Sequence, residues 1–185
     1  MVGLSLQQAT TIVDAALGKA RATSCAPLAV AVLDAGGHLK AFAREDGAGI
    51  VRPQIAIAKA WGALGMGVGT RALARRVAEQ PQLGPFFGAL NAMSEGRVVP
   101  VPGGVLIRDA GGAVIGAVGV SGDTSDKDEA CALAGIERPR SSATPGSTSE
   151  GATSQARPKG ATAPWVLQGR HRMREELCRK NHFRP

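Results

Sequence analysis

Several residue types are scarce in this chain. Tyrosine is absent from the 185 residues, and Trp contributes two and Phe four, so the stacking aromatics of a single-strand nucleic-acid platform are missing. The three cysteines, Cys25, Cys131 and Cys178, are odd in number and widely separated. That spacing predicts neither a disulfide framework nor a Cys-x-x-Cys metal or redox motif. A reducing compartment fits this cysteine usage.

Long apolar runs are also lacking. No run approaches the roughly 20 residues of a membrane span, and the N-terminus has neither the charged start nor the apolar core of a signal peptide. From these observations we expect no membrane association and a cytoplasmic location.

Charge is divided unevenly along the chain. Residues 1–137 hold 12 Lys/Arg and 12 Asp/Glu, whereas residues 138–185 hold 10 and 3, so the C-terminal segment carries all of the net charge of +7. A nucleic-acid-binding domain would place a basic face on the fold itself. We therefore expect no nucleic-acid binding through residues 1–137.

Familiar catalytic motifs are missing as well. The sequence has no Gly-x-Ser-x-Gly elbow, His-Glu-x-x-His, Walker loop or Ser-x-x-Lys. The glycines at 65, 67 and 69 follow a predicted helix instead of a strand, which is the wrong context for a phosphate loop.

Two hairpins are predicted. The tetrapeptide Asp-Ala-Gly-Gly occurs at Asp34–Gly37 and again at Asp109–Gly112, each time between apolar runs, and glycines that tolerate positive φ suit such turns. Two hairpins give four strands. Gly116 and Gly119 lie inside the last strand, where glycine indicates a bulge or the close approach of another group.

Helices are predicted around these hairpins. A capping box at Ser5 starts a helix that ends near Ala22, and Pro53 opens a second that continues to Leu64. A short helix is expected over 70–78 and a last one over 126–136, whereas 82–104 is predicted to be loop-like with a helical turn at Phe86, Phe87 and Leu90.

The composition changes after residue 137. Pro, Ser, Thr, Gly, Ala and Arg dominate and no hydrophobic period persists. We therefore predict a folded domain over 1–137 and a basic, disordered tail over 138–185. A divergent or out-of-frame C-terminus is one hypothesis for the tail, and an intact mass of the natural protein that includes the full tail would reject it.

Four motifs in series resemble one family. They are the segments Ala31–Leu39, Ile55–Ala60, Val101–Val105 and Ile115–Gly122, followed by Asp128-Glu129-Ala130. Together they are similar to the GlcG/HbpS family, which includes haem-binding proteins and the C-terminal domain of some corrinoid adenosyltransferases. The resemblance covers Leu4 to about Glu137, and it departs from the family pattern at Trp61-Gly62-Ala63 and at Gly65 to Val68.

The resemblance implies a fold, an assembly and a ligand. The fold is α/β (α+β), with a profilin-like antiparallel sheet of about five strands flanked by helices. Relatives form homo-oligomers and bind, and in some cases degrade, haem.

Candidate site residues follow from haem chemistry and from these motifs. His38 is the one histidine of residues 1–137 and a candidate axial ligand, although a solvated turn residue is the alternative. Cys25 and Cys131 are interpreted as small core hydrophobes. The other expected cofactor contacts are Lys59, Arg44, Gly103, Gly104, Ser121 and Gly122.

Lys59 and the late acidic residues each have two interpretations. Lys59 either extends to solvent beside a packed face or faces an anionic group such as a propionate or a carboxylate. Asp128 and Glu129 are candidate metal ligands together with His38. Carboxylates are, however, also favoured in a first helical turn by the helix dipole, and Asp123 and Asp126 share this ambiguity.

The sequence thus favours a homo-oligomeric haem- or tetrapyrrole-binding protein. The alternative is an enzyme or accessory factor for a small anionic metabolite, a 2-hydroxy acid or an aromatic acid, held by Lys59 and nearby backbone amides. A purely structural subunit is a third possibility, and it predicts no effect of ligand on stability.

Overall fold

The computed structural model describes residues 3–137. The predicted tail, 138–185, lies outside the described residues. Within these described residues, five helices, one 3-10 turn and four strands follow each other: α1 Leu6–Ala22, β1 Ala29–Asp34, β2 Leu39–Arg44, α2 Arg52–Met66, α3 Thr70–Glu79, the turn Pro81–Leu83, α4 Gly84–Met93, β3 Gly104–Arg108, β4 Val114–Ser121 and α5 Ser125–Glu137.

The four strands form one antiparallel sheet in the order β2-β1-β4-β3. The two hairpins meet through β1 and β4, where Val30 pairs with Val120 and Val32 with Val118. The mixed α/β fold is confirmed. The described residues contain four strands, the number that the hairpins predict and one fewer than the resemblance implied.

The two hairpin turns have the same pattern of hydrogen bonds. The Asp34 carboxylate accepts from the N–H groups of Gly36 and His38 at 2.9 and 3.0 Å. The Asp109 carboxylate accepts from Gly111 and Ala113, both at 2.9 Å. The last glycine of each turn has a positive φ, +79° in one and +84° in the other, which glycine adopts without strain.

Side chains along β1 point alternately to the two faces of the sheet, and the core therefore has two layers. Val30 and Val32 pack with α1 and α5 on one face of the sheet. Ala31 and Leu33 point to the opposite face, which α2 covers. The sheet therefore has helices on both faces, as the period of two along a strand requires.

Helix α2 approaches the sheet backbone closely. A Cβ built on Gly119 would lie 1.9 Å from the Ala56 carbonyl oxygen, and one built on Gly104 would lie 2.2 Å from that of Lys59. The helix presents small buried residues at this contact, among them Ala56, Ala60 and Ala63. This confirms the close approach that the glycines of the last strand predicted.

One segment differs from its prediction. Residues 84–93 form helix α4 instead of a loop with one helical turn. Pro85 suits the first turn of a helix, where its missing N–H has no partner to lose, and Phe87 is the buried residue of this helix. With a single buried side chain, the segment shows little of the apolar periodicity from which helices are predicted.

Replacing Gly119 with alanine tests the contact between α2 and the sheet. The added methyl group has no space beside the Ala56 carbonyl, so we expect the free energy of unfolding to fall by at least about 2 kcal/mol. Urea denaturation of the purified variant measures this loss.

Gly18→Ala is the matched control. Gly18 is an exposed residue of α1, and a Cβ there meets nothing within 4 Å. It should stabilise the protein by about 0.5–1 kcal/mol through helix propensity. Equal effects of the two substitutions would contradict the packing described for Gly119.

Candidate functional site

The candidate residues lie at two ends of the sheet. At one end, Ala29 of β1 pairs with Arg44 of β2 and with Ser121 of β4. At the other end, Asp34 of β1 leads into the turn that carries His38. Ala29 and Asp34 are about 17 Å apart along an extended strand. The structure therefore does not bring His38 together with the other predicted ligand residues.

His38 is held by its neighbour Asp34. Its side chain is 83% exposed, and its Nδ1 lies 3.3 Å from the Asp34 carboxylate oxygen Oδ1. Hydrogen bonds from backbone N–H groups, that of His38 foremost, lower the pKa of Asp34. The carboxylate is thus charged at neutral pH and faces Nδ1. Among residues 3–137 no hydrogen-bond partner of Nε2 is found, so this nitrogen is accessible on the exposed side chain.

An aromatic ring and a cation flank the His38 turn. A Cβ on Gly37, the residue before His38, would lie 3.1 Å from Nε1 of Trp61. The Arg97 guanidinium lies 5.2 Å from the centroid of the Trp61 ring, within range of a cation–π interaction. Trp61, Leu64 and Leu106 are partly buried and pack against one small core cluster that includes Leu33. This end of the sheet therefore combines an imidazole, an indole, aliphatic side chains and an arginine.

A buried ion pair occupies the opposite end. Lys59 Nζ lies 2.8 Å from Asp128 Oδ2, and each side chain is 2% exposed. The ammonium also donates to the Val120 carbonyl at 3.0 Å, and Asp128 Oδ1 accepts from the Asp123 N–H at 3.1 Å. The pair joins α2 on one face of the sheet to α5 on the other. Burial lowers the pKa of Lys59 and raises that of Asp128, and the mutual hydrogen bond opposes both shifts.

The anionic group that faces Lys59 is thus Asp128 of the same chain. Sequence reasoning considered a carboxylate opposite Lys59 but did not identify Asp128, because nothing in a sequence pairs a helix lysine with an aspartate 69 positions later. Charge neutralisation within the protein accounts for a lysine inside an apolar helix face.

The motif glycines at this end serve packing. A Cβ on Gly103, whose φ is +123°, would lie 2.8 Å from Lys59 Nζ, and one on Gly122 would lie 2.4 Å from the Pro27 carbonyl oxygen. The Gly104 N–H donates to the Thr70 hydroxyl at 2.8 Å. Ser121 is fully buried, and its hydroxyl accepts from Arg52 at 3.5 Å. These positions are filled by the chain's own atoms, and their contact with a ligand stays a prediction.

The acidic residues at the start of α5 each have partners. Arg71 of α3 binds both Asp126, at 2.6 Å, and Glu129. Asp123 accepts from the N–H groups of Ala26 and Thr124 and pairs with Lys127 at 3.1 Å. No group of three or more His, Cys, Asp or Glu suited to a metal is found within residues 3–137. These carboxylates therefore have ion-pair and backbone partners within the chain, and His38 lies far from them. Metal binding by Asp128 and Glu129 stays a prediction. Arg44 is exposed at the end of β2.

Sequence reasoning missed Trp61 and Arg97. Trp61 is the one tryptophan of residues 1–137, and it stands where the chain departs from the family pattern. The rarity of tryptophan could have marked Trp61 as a candidate site residue. Arg97 gave none, because its position over the indole depends on the turn after α4.

The fold and this site define a class, an α/β domain with a single antiparallel sheet between helices, and comparisons with known proteins agree. The family described as haem degrading protein HbpS-like matches residues 4–137. The chain belongs to the HbpS-like family.

Solved structures of related proteins resemble this fold. The PduOC:haem complex is 30% identical, with a TM-score of 0.64 over 73% of this chain and 94% of that one. Klebsiella pneumoniae protein ORFY is 28% identical, with a TM-score of 0.66 over 74% and 90%. A double mutant of Streptomyces reticuli HbpS is 29% identical, with a TM-score of 0.62 over 74% and 86%. No curated protein matches the sequence. None of the helices within residues 3–137 is long and apolar enough to cross a membrane.

Substitutions in the buried pair test its role. Lys59→Met leaves a buried carboxylate without its counter-charge and Asp128→Asn leaves a buried ammonium, so each should lower the free energy of unfolding by about 3–5 kcal/mol. The double variant removes both charges and should lose clearly less than the sum of the two. Chemical denaturation of the four proteins measures the coupling, and strictly additive losses would contradict a mutual interaction.

Asp123 predicts a pH dependence. Backbone hydrogen bonds from Ala26 and Thr124 lower the pKa of Asp123 from 3.8 to about 2. Its charge therefore contributes stability that is present above pH 3.8 and is lost as the pH falls to about 2. Asp123→Asn should be less stable than the parent at pH 7, and this difference should shrink across that window. A difference that stays constant down to pH 2 would show that the charge of Asp123 is not involved.

Proposed function

We propose that this protein binds haem or a closely related metal tetrapyrrole through His38. The observation that carries the proposal is the exposed imidazole of His38, whose Nδ1 lies 3.3 Å from the Asp34 carboxylate. Histidine is the commonest protein ligand of haem iron. A carboxylate on the second ring nitrogen orients the ring and raises the basicity of the coordinating nitrogen.

The residues around His38 suit the rest of a porphyrin. Leu39 is 52% exposed and pairs across the sheet with Leu33, while Trp61, Leu64 and Leu106 are partly buried nearby. These side chains offer apolar surface to the macrocycle. Arg97, over the Trp61 ring, pairs with Glu95 at 3.2 Å on the exposed surface, and a propionate would compete with Glu95 for its guanidinium. Bound haem would supply a redox-active iron, and the chain would supply the nitrogen that holds it.

The family relation supports the same ligand. One structural relative at 30% identity was solved as a haem complex, and the family is described by haem degradation. The alternative, a small anionic metabolite held by Lys59, depended on a free cation. Lys59 is already neutralised by Asp128 at 2.8 Å, so an anionic substrate would have to displace a buried carboxylate.

Assembly and location complete the proposal. Strand β2 is an outer strand of the sheet, and Phe42 and Leu39 on it are 40% and 52% exposed. A second copy of the chain that covers this apolar surface would shield a tetrapyrrole at His38, which supports a homo-oligomer. The free cysteines Cys25 and Cys131 agree with a cytoplasmic location.

A hemin titration of the full chain tests the proposal. In a background in which His171 and His182 are replaced by alanine, hemin should saturate the protein, and the Soret band reports the ligated iron. His38→Ala should then change the band and weaken binding at least about tenfold, because it removes the axial donor. Saturation that His38→Ala leaves unaltered would overturn the assignment.

Asp34→Asn and Asp109→Asn make a matched pair of variants. Each carboxylate holds an equivalent hairpin turn, but Asp34 alone lies beside an imidazole. We expect Asp34→Asn to weaken hemin binding by about 10–100-fold and Asp109→Asn to leave it unchanged. Equal losses would assign the effect to turn stability.

A further inference from the structure

Two cysteines that are distant in sequence meet inside the fold. Cys25, in the loop between α1 and β1, and Cys131, in α5, are both buried members of one core cluster. Burial, and then the neighbouring Cys25, raise the pKa of Cys131, which places the two side chains near each other. Nothing in the sequence indicates this proximity, because 105 residues lie between them.

Helix packing independently brings the two cysteines to the same part of the core. A Cβ on Gly135 of α5 would lie 2.9 Å from the Ile12 carbonyl oxygen and 3.5 Å from the Ala16 Cβ of α1. One turn earlier on the same face of α5 lies Cys131, and one turn later on α1 lies Ala20. The Cys25 N–H donates to the Ala20 carbonyl at 3.0 Å. Cys131 therefore faces the place where that hydrogen bond holds Cys25.

We infer that Cys25 and Cys131 form a site of oxidative modification, an intramolecular disulfide made when hydrogen peroxide oxidises the folded protein. The two cysteines already lie in the same part of the core, so the bond needs no rearrangement of the sheet. The inference is independent of the proposed haem site, which lies around the β1–β2 turn.

The order of events follows from access. Cys25 is 6% exposed and Cys131 is 1% exposed, and burial raises the pKa of Cys131 to about 12. Cys131 therefore stays protonated at rest, and Cys25 meets the oxidant first.

The reaction balances with one equivalent of peroxide. The Cys25 sulfur attacks the peroxide, so that an S–O bond forms, the O–O bond breaks and water leaves. The Cys131 sulfur, losing its proton, then attacks the Cys25 sulfur, the S–S bond forms and a second water leaves. Both sulfurs are oxidised and the peroxide is reduced to two water molecules.

The resulting disulfide would close a loop of the chain that contains the whole sheet. All four strands lie between positions 25 and 131, so the disulfide ties the end of α1 to α5 around them. Because a cross-link restricts the unfolded chain, the oxidised protein should unfold at a higher temperature than the reduced protein.

Peroxide treatment of the full chain carrying Cys178→Ala tests the inference. This variant keeps only the two core thiols. We expect the intact mass to fall by two hydrogen atoms, titratable thiols under denaturation to fall from two to none, and a peptide map to show Cys25 joined to Cys131. The thermal midpoint should rise, and a reductant should reverse all four changes.

Three results would overturn the inference. Thiols that stay reduced in the folded protein, while the same peroxide oxidises the denatured protein, would show an inert core. Sulfinic acid at Cys25 without a cross-link, or cross-links only between chains, would show that the thiols do not pair. The added variant Cys131→Ala should leave Cys25 as a sulfenic acid that dimedone traps. Because the parent is tested in its native fold, the result does not depend on whether this second variant folds.

Discussion

The seating of helix α2 directly on the backbone of the sheet is the constraint on which the rest of the structure depends. Gly119 and Gly104 leave room for the carbonyl groups of the helix, and its buried alanines bring it close. Because α2 lies in this position, two of its residues reach opposite ends of the sheet. Lys59 reaches Asp128 at the end of β4, while Trp61 packs against Gly37 in the first hairpin turn.

Several charged side chains that could bind a ligand are already paired with opposite charges in the same chain. Lys59 and Asp128 satisfy each other in the core, and Arg71 holds Asp126 and Glu129. The carboxylates and the lysine that first suggest a metal or anion site are therefore paired with partners in the same chain. His38 differs from them, because its side chain is 83% exposed and its Nδ1 lies 3.3 Å from the Asp34 carboxylate. An exposed imidazole with a carboxylate beside its second nitrogen suits a metal bound at the surface.

Local patterns in the sequence predicted most of the fold. Repeated turn chemistry at Asp34 and Asp109 predicted both hairpins, and the capping box at Ser5 predicted the start of α1. Helix α4 was missed because one buried side chain, Phe87, leaves little periodicity. The site was less predictable, since its contacts join distant positions. The pairing of Lys59 with Asp128, the meeting of Cys25 with Cys131 and the position of Arg97 over Trp61 all depend on tertiary packing, which no local spacing encodes.

The most direct test of this account locates the tetrapyrrole on the sheet. Gallium protoporphyrin is diamagnetic, so amide shifts in a ¹⁵N-labelled full chain report its contacts without paramagnetic broadening. The account predicts perturbations clustered at residues 34–39, at the Trp61 indole N–H and at Arg97. Perturbations confined to Gly103, Gly104 and Ser121, or to residues 138–185, would contradict it.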